Sequence, residues 1–121
     1  MTICLVVDDS GVIRKLASKM LADLDIQSVE AENGAVAYDR CTDQMPDIVL
    51  LDWNMPVMDG MEFLKKLRAT PFPRQPKVLF CTTESEFSKI AAALAEGADE
   101  YIMKPFDEDI LASKLRLIGA I

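Results

Sequence analysis

Three acids in this chain stand where an apolar run stops. The stretch ICLVVDDS carries Val6 and Val7 straight into Asp8 and Asp9, and DIVLLDWNMPVMDG carries Ile48 to Leu51 into Asp52. Two further polar groups occupy matching places, Thr82 at the end of KVLFCT and Lys104 just after YIM. A charge at the margin of a core is costly unless something pairs with it. Gathered about 5 Å apart, each pair of carboxylates would cost roughly 3 kcal/mol at an effective dielectric near 20. A hard divalent cation with oxygen ligands relieves that repulsion. Mg²⁺ suits the donor set because it is typically held by one or two carboxylates and keeps waters that a phosphate oxygen can displace. Lys104 adds a point charge and Thr82 a hydroxyl donor, both matched to phosphoryl oxygens. The cation and the lysine together balance the three acids, and a carboxylate such as Asp52 can then act as a nucleophile on phosphorus.

The elements that must bring these residues together follow from periodicity. Residues 3–8, 27–31, 47–52, 77–82 and 99–103 read as strands. Between them, Val12/Ile13, Leu16, Met20 and Leu24 recur at helical spacing, as do Phe87, Ile90/Ala91 and Leu94, and finally Ile110/Leu111, Lys114/Leu115 and Ile118; their Met and Leu side chains are expected in the core. Asp59 with Glu62 three residues on reads as a capping box, and Asn33 and Asp107 read as further N-caps. TPFPRQP reads as a loop between the third helix and the fourth strand. Five strands alternating with five helices predict an α/β fold with a doubly wound parallel sheet. In such sheets ligands bind outside the carboxyl ends of the strands, which is where Asp8, Asp9, Asp52, Thr82 and Lys104 fall. A cap needs one residue, so the doubled acid after the first strand favours a cation over capping by Asp8, Asp9 or Ser10.

Composition narrows the possibilities. The chain has 121 residues, of which 50% are hydrophobic and 27% charged, the signature of one folded domain. A net charge of −7 opposes binding to nucleic acid or anionic lipid. No leader or membrane-spanning run is read, and a cytoplasmic protein is expected. Cys4, Cys41 and Cys81 lie singly in apolar stretches and are expected to be buried thiols. There is no histidine. Imidazole acid/base chemistry and a resident phosphohistidine are therefore excluded.

Taken in order, VVDDS, LLDWNMPVMDG, FCTTES and YIMKPF resemble the receiver domain of bacterial two-component response regulators, of the chemotaxis type, from end to end of the chain. The resemblance implies a five-stranded sheet of order 2-1-3-4-5 and a single receiver domain over 1–121 with no output domain. It implies Asp52 as phosphoacceptor, Mg²⁺ ligated by Asp9, Asp52 and the backbone carbonyl of Asn54 with Asp8 acting mainly through a water, and Lys104 and Thr82 touching the phosphoryl group. The donor would be a histidine kinase or histidine phosphotransfer protein. Thr82 and Tyr101 would then form a switch that remodels the surface of helix four, strand five and helix five for a downstream protein, in motility the flagellar motor, and Lys104–Pro105 would be cis. A monomer is expected, not an enzyme beyond assisting its own phosphorylation and slow autodephosphorylation. Thr83 replaces the small residue usual in the family, and with Asn54 and Glu84 it is expected to set access and the lifetime of the phosphorylated state.

Other readings compete. A phosphate sink or shuttle, or the receiver piece of a larger DNA-binding or enzymatic regulator, would carry the same motifs. A flavodoxin-like carrier would need a hydroxyl- and Gly-rich loop where DDSG places two acids. An Asp-nucleophile phosphatase would need an acid at position 54, which is Asn.

Overall fold

Along β1 (Ile3–Val7), Leu5 and Val7 enter one core cluster and Cys4 and Val6 another. Along β3 (Ile48–Asp52), Val49 and Leu51 part from Ile48 and Leu50 in the same way. Side chains alternate across a strand, so strands with no polar face must be covered on both sides. The computed structural model, which describes residues 1–121 except the Glu84 side chain, meets that need with helices on both faces.

The remaining elements are α1 (Gly11–Asp23), β2 (Gln27–Ala31), α2 (Gly34–Asp43), α3 (Gly60–Ala69), β4 (Lys77–Thr82), a 3-10 helix (Glu84–Lys89), α4 (Ile90–Ala95), β5 (Glu100–Met103) and α5 (Glu108–Leu117). All strand pairs are parallel and the order is β2-β1-β3-β4-β5, as expected. Ala17 and Leu21 of α1 and Leu111 and Leu115 of α5 cover one face. Ala37, Phe63, Leu64 and Ala93, from α2, α3 and α4, cover the other. The chain runs from β1 outward to β2, then returns past β1 to β3, so the winding reverses between β1 and β3 and opens a crevice at their carboxyl ends.

Local signals act as expected at most helix starts. Ser10, Asn33 and Asp107 cap α1, α2 and α5, and Asp59 and Glu62 close a capping box on α3. Because Ser10 is the cap of α1, neither Asp8 nor Asp9 is needed for it. Two expectations are corrected. The fourth helix is split into a 3-10 helix and a six-residue α4, neither with a side-chain cap. Two leucines at helical spacing are also not core: Leu16 is 52% exposed and Leu94 42%. A helix lying on a sheet buries only the stripe that faces it. In α1 that stripe is Ala17 and Leu21, and the run of larger side chains spills onto the flank. The three thiols are buried and free, and burial pushes Cys4 up to about 12 and Cys41 up to about 11, so they are packing groups.

Candidate functional site

β1 and β3 pair with Val7 opposite Leu51. The next residues, Asp8 and Asp52, therefore emerge side by side at the crevice. Both are buried, while Asp9 is exposed. One carboxylate oxygen from each of Asp8, Asp9 and Asp52 lies within 4.8 Å of the other two. Lys104 reaches in from beyond β5, its Nζ donating to Asp52 Oδ1 at 2.8 Å and to Asp8 Oδ2 at 3.0 Å. The Lys104 backbone N–H donates to the Thr82 carbonyl at 2.7 Å, tying the exit of β5 to the end of β4. Lys104–Pro105 is cis.

Two acids facing one lysine leave the lysine oversupplied and the acids underserved. Burial pushes the Asp52 carboxyl above its ordinary value, Lys104 pulls it back only in part, and Asp8 adds repulsion. For Lys104 burial pulls downward, yet the hydrogen bonds to Asp52 and Asp8 prevail and its ammonium form is strengthened. With Asp9 added, the cluster is short of positive charge. Hard oxygen donors at this spacing fit a divalent cation.

Gly60 makes the approach of α3 possible. Its N–H donates to the Trp53 carbonyl at 2.9 Å, and a Cβ there would collide with the backbone carbonyl of Asp52. Trp53 is half-buried, edge-on to Phe80 with Lys89 Nζ 4.4 Å from its ring centroid, and Met55 is buried. Thr82 is fully buried and its hydroxyl donates to the Thr83 carbonyl at 3.2 Å. Thr83 Oγ1 lies 2.9 Å from Ser85 Oγ and donates to Glu86 Oε1 at 3.1 Å, which turns it toward the 3-10 helix. Asn54 is exposed. The side chain of Glu84 lies outside the described residues. Tyr101 stands apart from the acids. Its ring is 6.2 Å from that of Phe87, nearly perpendicular, and Lys114 Nζ sits 4.1 Å from its centroid.

Sequence reasoning did not single out Arg14, Glu30 or Gly60. Arg14 donates to the Asp8 carbonyl and to Glu30 on β2. A lone Arg interrupting the apolar face of VIRKLASKML was the available signal. For Gly60 it was a glycine one residue after a capping acid, close behind the Asp52 strand end.

Residues 4–116 match the response regulator receiver domain. The chain belongs to that family. It is 36% identical over 116 residues to chemotaxis protein CheY1 of Helicobacter pylori, covering 94% of each chain. It is 38% identical over 113 residues to a CheY homolog of Campylobacter jejuni, covering 92% of this chain and 87% of that one. Among solved structures, chemotaxis response regulator CheY4 of Vibrio cholerae superposes with a TM-score of 0.89 at 33% identity over 98% of both chains. A putative response regulator of Chloroflexus aurantiacus gives 0.91 at 25% identity, over 99% of this chain and 98% of that one. The protein is thus a phosphorelay signal receiver homologous to chemotaxis response regulators. Receivers of this type are generally signal receivers and not enzymes, and membership displaces the electron-carrier and phosphatase readings. Among the described residues no helix is long and apolar enough to cross a membrane.

Proposed function

We propose that Asp52 is the phosphoacceptor, taking its phosphoryl group from a phosphohistidine on a separate kinase or phosphotransfer protein. The observation that carries this is the meeting of buried Asp8 and Asp52 with exposed Asp9 and the half-buried Lys104 at one corner of the sheet edge. The Asp52 carboxylate attacks phosphorus. An O–P bond forms as the P–N bond to the donor imidazole breaks, and the leaving imidazole takes its proton from solvent. An ionised carboxylate needs no base to activate it, in keeping with a chain that has no histidine. Lys104 is already aimed at Asp52 Oδ1 and stabilises charge on the phosphoryl oxygens.

Asp9, Asp52 and the backbone carbonyl of Asn54 would hold Mg²⁺, with Asp8 acting through a water. Bound there, the ion supplies compact positive charge against the developing negative charge of transfer. The Thr82 hydroxyl, now on the Thr83 carbonyl, turns to the phosphoryl group, and Tyr101 moves into the space it leaves. The surface of α4, β5 and α5 changes accordingly and presents itself to a downstream protein, in motility by similarity to the chemotaxis relatives. Moving such an element from mostly off to mostly on takes about 5.5 kcal/mol of differential interaction. Asn54, Thr83 and Glu84 pace the slow autodephosphorylation.

Treatment with acetyl phosphate and Mg²⁺, followed by intact mass, tests the assignment. A labile gain of one phosphoryl group is expected, lost in Asp52→Asn and in chelator. Retention of the gain in Asp52→Asn would place the acceptor elsewhere.

A further inference from the structure

Arg14 lies in the first turn of α1, just beyond the acid pair. Its guanidinium forks in two directions. Nη1 donates to the backbone carbonyl of Asp8 at 2.8 Å, and Nε donates to Glu30 Oε1 at 2.9 Å. Glu30 stands on β2 opposite Val6 of β1, and its other carboxylate oxygen accepts from Lys15 Nζ at 2.7 Å. The Arg14 side chain is 18% exposed and that of Lys15 77%, so Arg14 is the held partner and Lys15 the solvated one.

The oxygen that Arg14 grips belongs to the peptide joining Asp8 to Asp9. Fixing that oxygen fixes the plane of the peptide and with it the direction in which Asp9 leaves the backbone. Asp8 has independent anchors: its N–H donates to the Ala31 carbonyl at 3.1 Å, Oδ1 accepts from the Ser10 N–H at 2.9 Å, and Oδ2 accepts from Lys104. Asp9 has none of these. It is exposed, and among the described residues no hydrogen bond holds its carboxylate. Its place in the cluster depends on the peptide behind it.

We infer that Arg14, braced by Glu30, is a positioning residue that sets where the Asp9 carboxylate meets those of Asp8 and Asp52. This rests on the reading of that cluster as a cation site. The two roles a guanidinium could play there have opposite signs. A positive charge beside a cation site repels the cation, so if charge were its whole effect, removing it would tighten binding. If Arg14 is an anchor, removing it weakens binding, because a ligand loses its preset place. Outer-shell groups that orient ligands are worth about tenfold or more in metal affinity.

The experiment is a MgCl₂ titration followed by fluorescence of Trp53, the single tryptophan, and in parallel by calorimetry. Arg14→Met keeps the length of the stem and loses the fork. Its Mg²⁺ dissociation constant is expected to be about tenfold weaker than wild type. Arg14→Lys keeps the charge and loses the fork, and is expected to be weakened nearly as much, whereas a purely electrostatic role would leave it unchanged. A folded Arg14→Met that binds Mg²⁺ as tightly as wild type, or more tightly, overturns the inference. Should Arg14→Met fail to fold, Glu30→Gln decides, with a smaller loss in the same direction expected and an unchanged constant counting against the anchor. If wild type itself takes up no Mg²⁺ by either readout, the cation reading falls and this inference falls with it. If wild type binds and the variants match it, only the inference falls.

Discussion

On the β1–β3 side of the crevice Asp8 is held through its amide, its carbonyl and both carboxylate oxygens, and α3 opens on a capping box with Gly60 against the Asp52 strand end. On the β4–β5 side, a 3-10 helix and a six-residue α4 follow Thr82 with no side-chain cap, α4 buries only Ile90 and Ala93, and Phe87 is 54% exposed. One edge of one sheet therefore carries a rigid half and a loosely determined half. Phosphoryl chemistry needs reacting groups held within fractions of an ångström, which favours fully bonded strand ends. A switch needs an element whose alternatives differ little in free energy, and such elements come from the low-stability end of a structure. The division matches the proposed roles of Asp52 and Tyr101.

A matched pair of glycine substitutions offers the sharpest break of that comparison. In Gly60→Ala the new methyl meets the backbone of Asp52 and Trp53, which cannot step aside without moving the end of β3. A loss of about 3 kcal/mol or more is expected. In Gly97→Ala, after α4, the methyl meets the stem of Arg68, a side chain and not backbone although Gly97, Gln75, Pro76 and Asp99 hold its guanidinium, and a backbone φ of +110° adds strain. About 1–2 kcal/mol is expected there. Urea denaturation of both variants checks the order, and equal losses would remove the distinction between the halves.

The rigid half also stores a cost that the metal is expected to relieve. Burial raises the Asp52 pKa, and a carboxyl whose folded-state pKa lies above its unfolded value destabilises the fold once pH has risen past both. In chelator at neutral pH, Asp52→Asn is therefore expected to melt several degrees above wild type. Saturating Mg²⁺ should raise the wild-type melting temperature and leave that of the variant nearly fixed, closing the gap, because a ligand stabilises only the state that binds it. A variant that melts below wild type in chelator would show that the acid cluster is already satisfied without a cation.

The same contrast governs what could be read from the sequence. The apolar run Ile48–Leu51 states that its strand is covered on both faces, and acids at the ends of paired parallel strands must converge, so the sheet and the Asp8, Asp9, Asp52 and Lys104 cluster were legible. Local grammar also placed the caps at Asn33, Asp59 and Asp107. The flank of α1 was not legible, because Leu16 and Ala17 differ by one helical step and only tertiary packing selects Ala17 for the sheet. The break before α4 was hidden by apolar spacing that suits a continuous helix. The residue Arg14 could be noticed but its partner could not, since Glu30 lies sixteen residues on, in strand β2. Pairings of that kind are set by topology and leave no periodic trace.

The smallest expected effect lies on the loose half. Phe87 meets Tyr101 edge-on, and Lys114 covers the same ring while lying 3.9 Å from Glu100. Truncating an exposed aromatic that makes one such contact costs about 1 kcal/mol or less, whereas Phe63→Ala, in the fully buried face of α3, is expected to cost about 3–5 kcal/mol. Global stability will thus barely register Phe87→Ala. Amide hydrogen exchange should: faster exchange is expected over residues 84–103, where one ring steadies another, with β1, β3 and α3 unchanged. If protection in β3 fell in step, the two halves would be a single cooperative unit, and a switch could not move on one side without loosening the acids on the other.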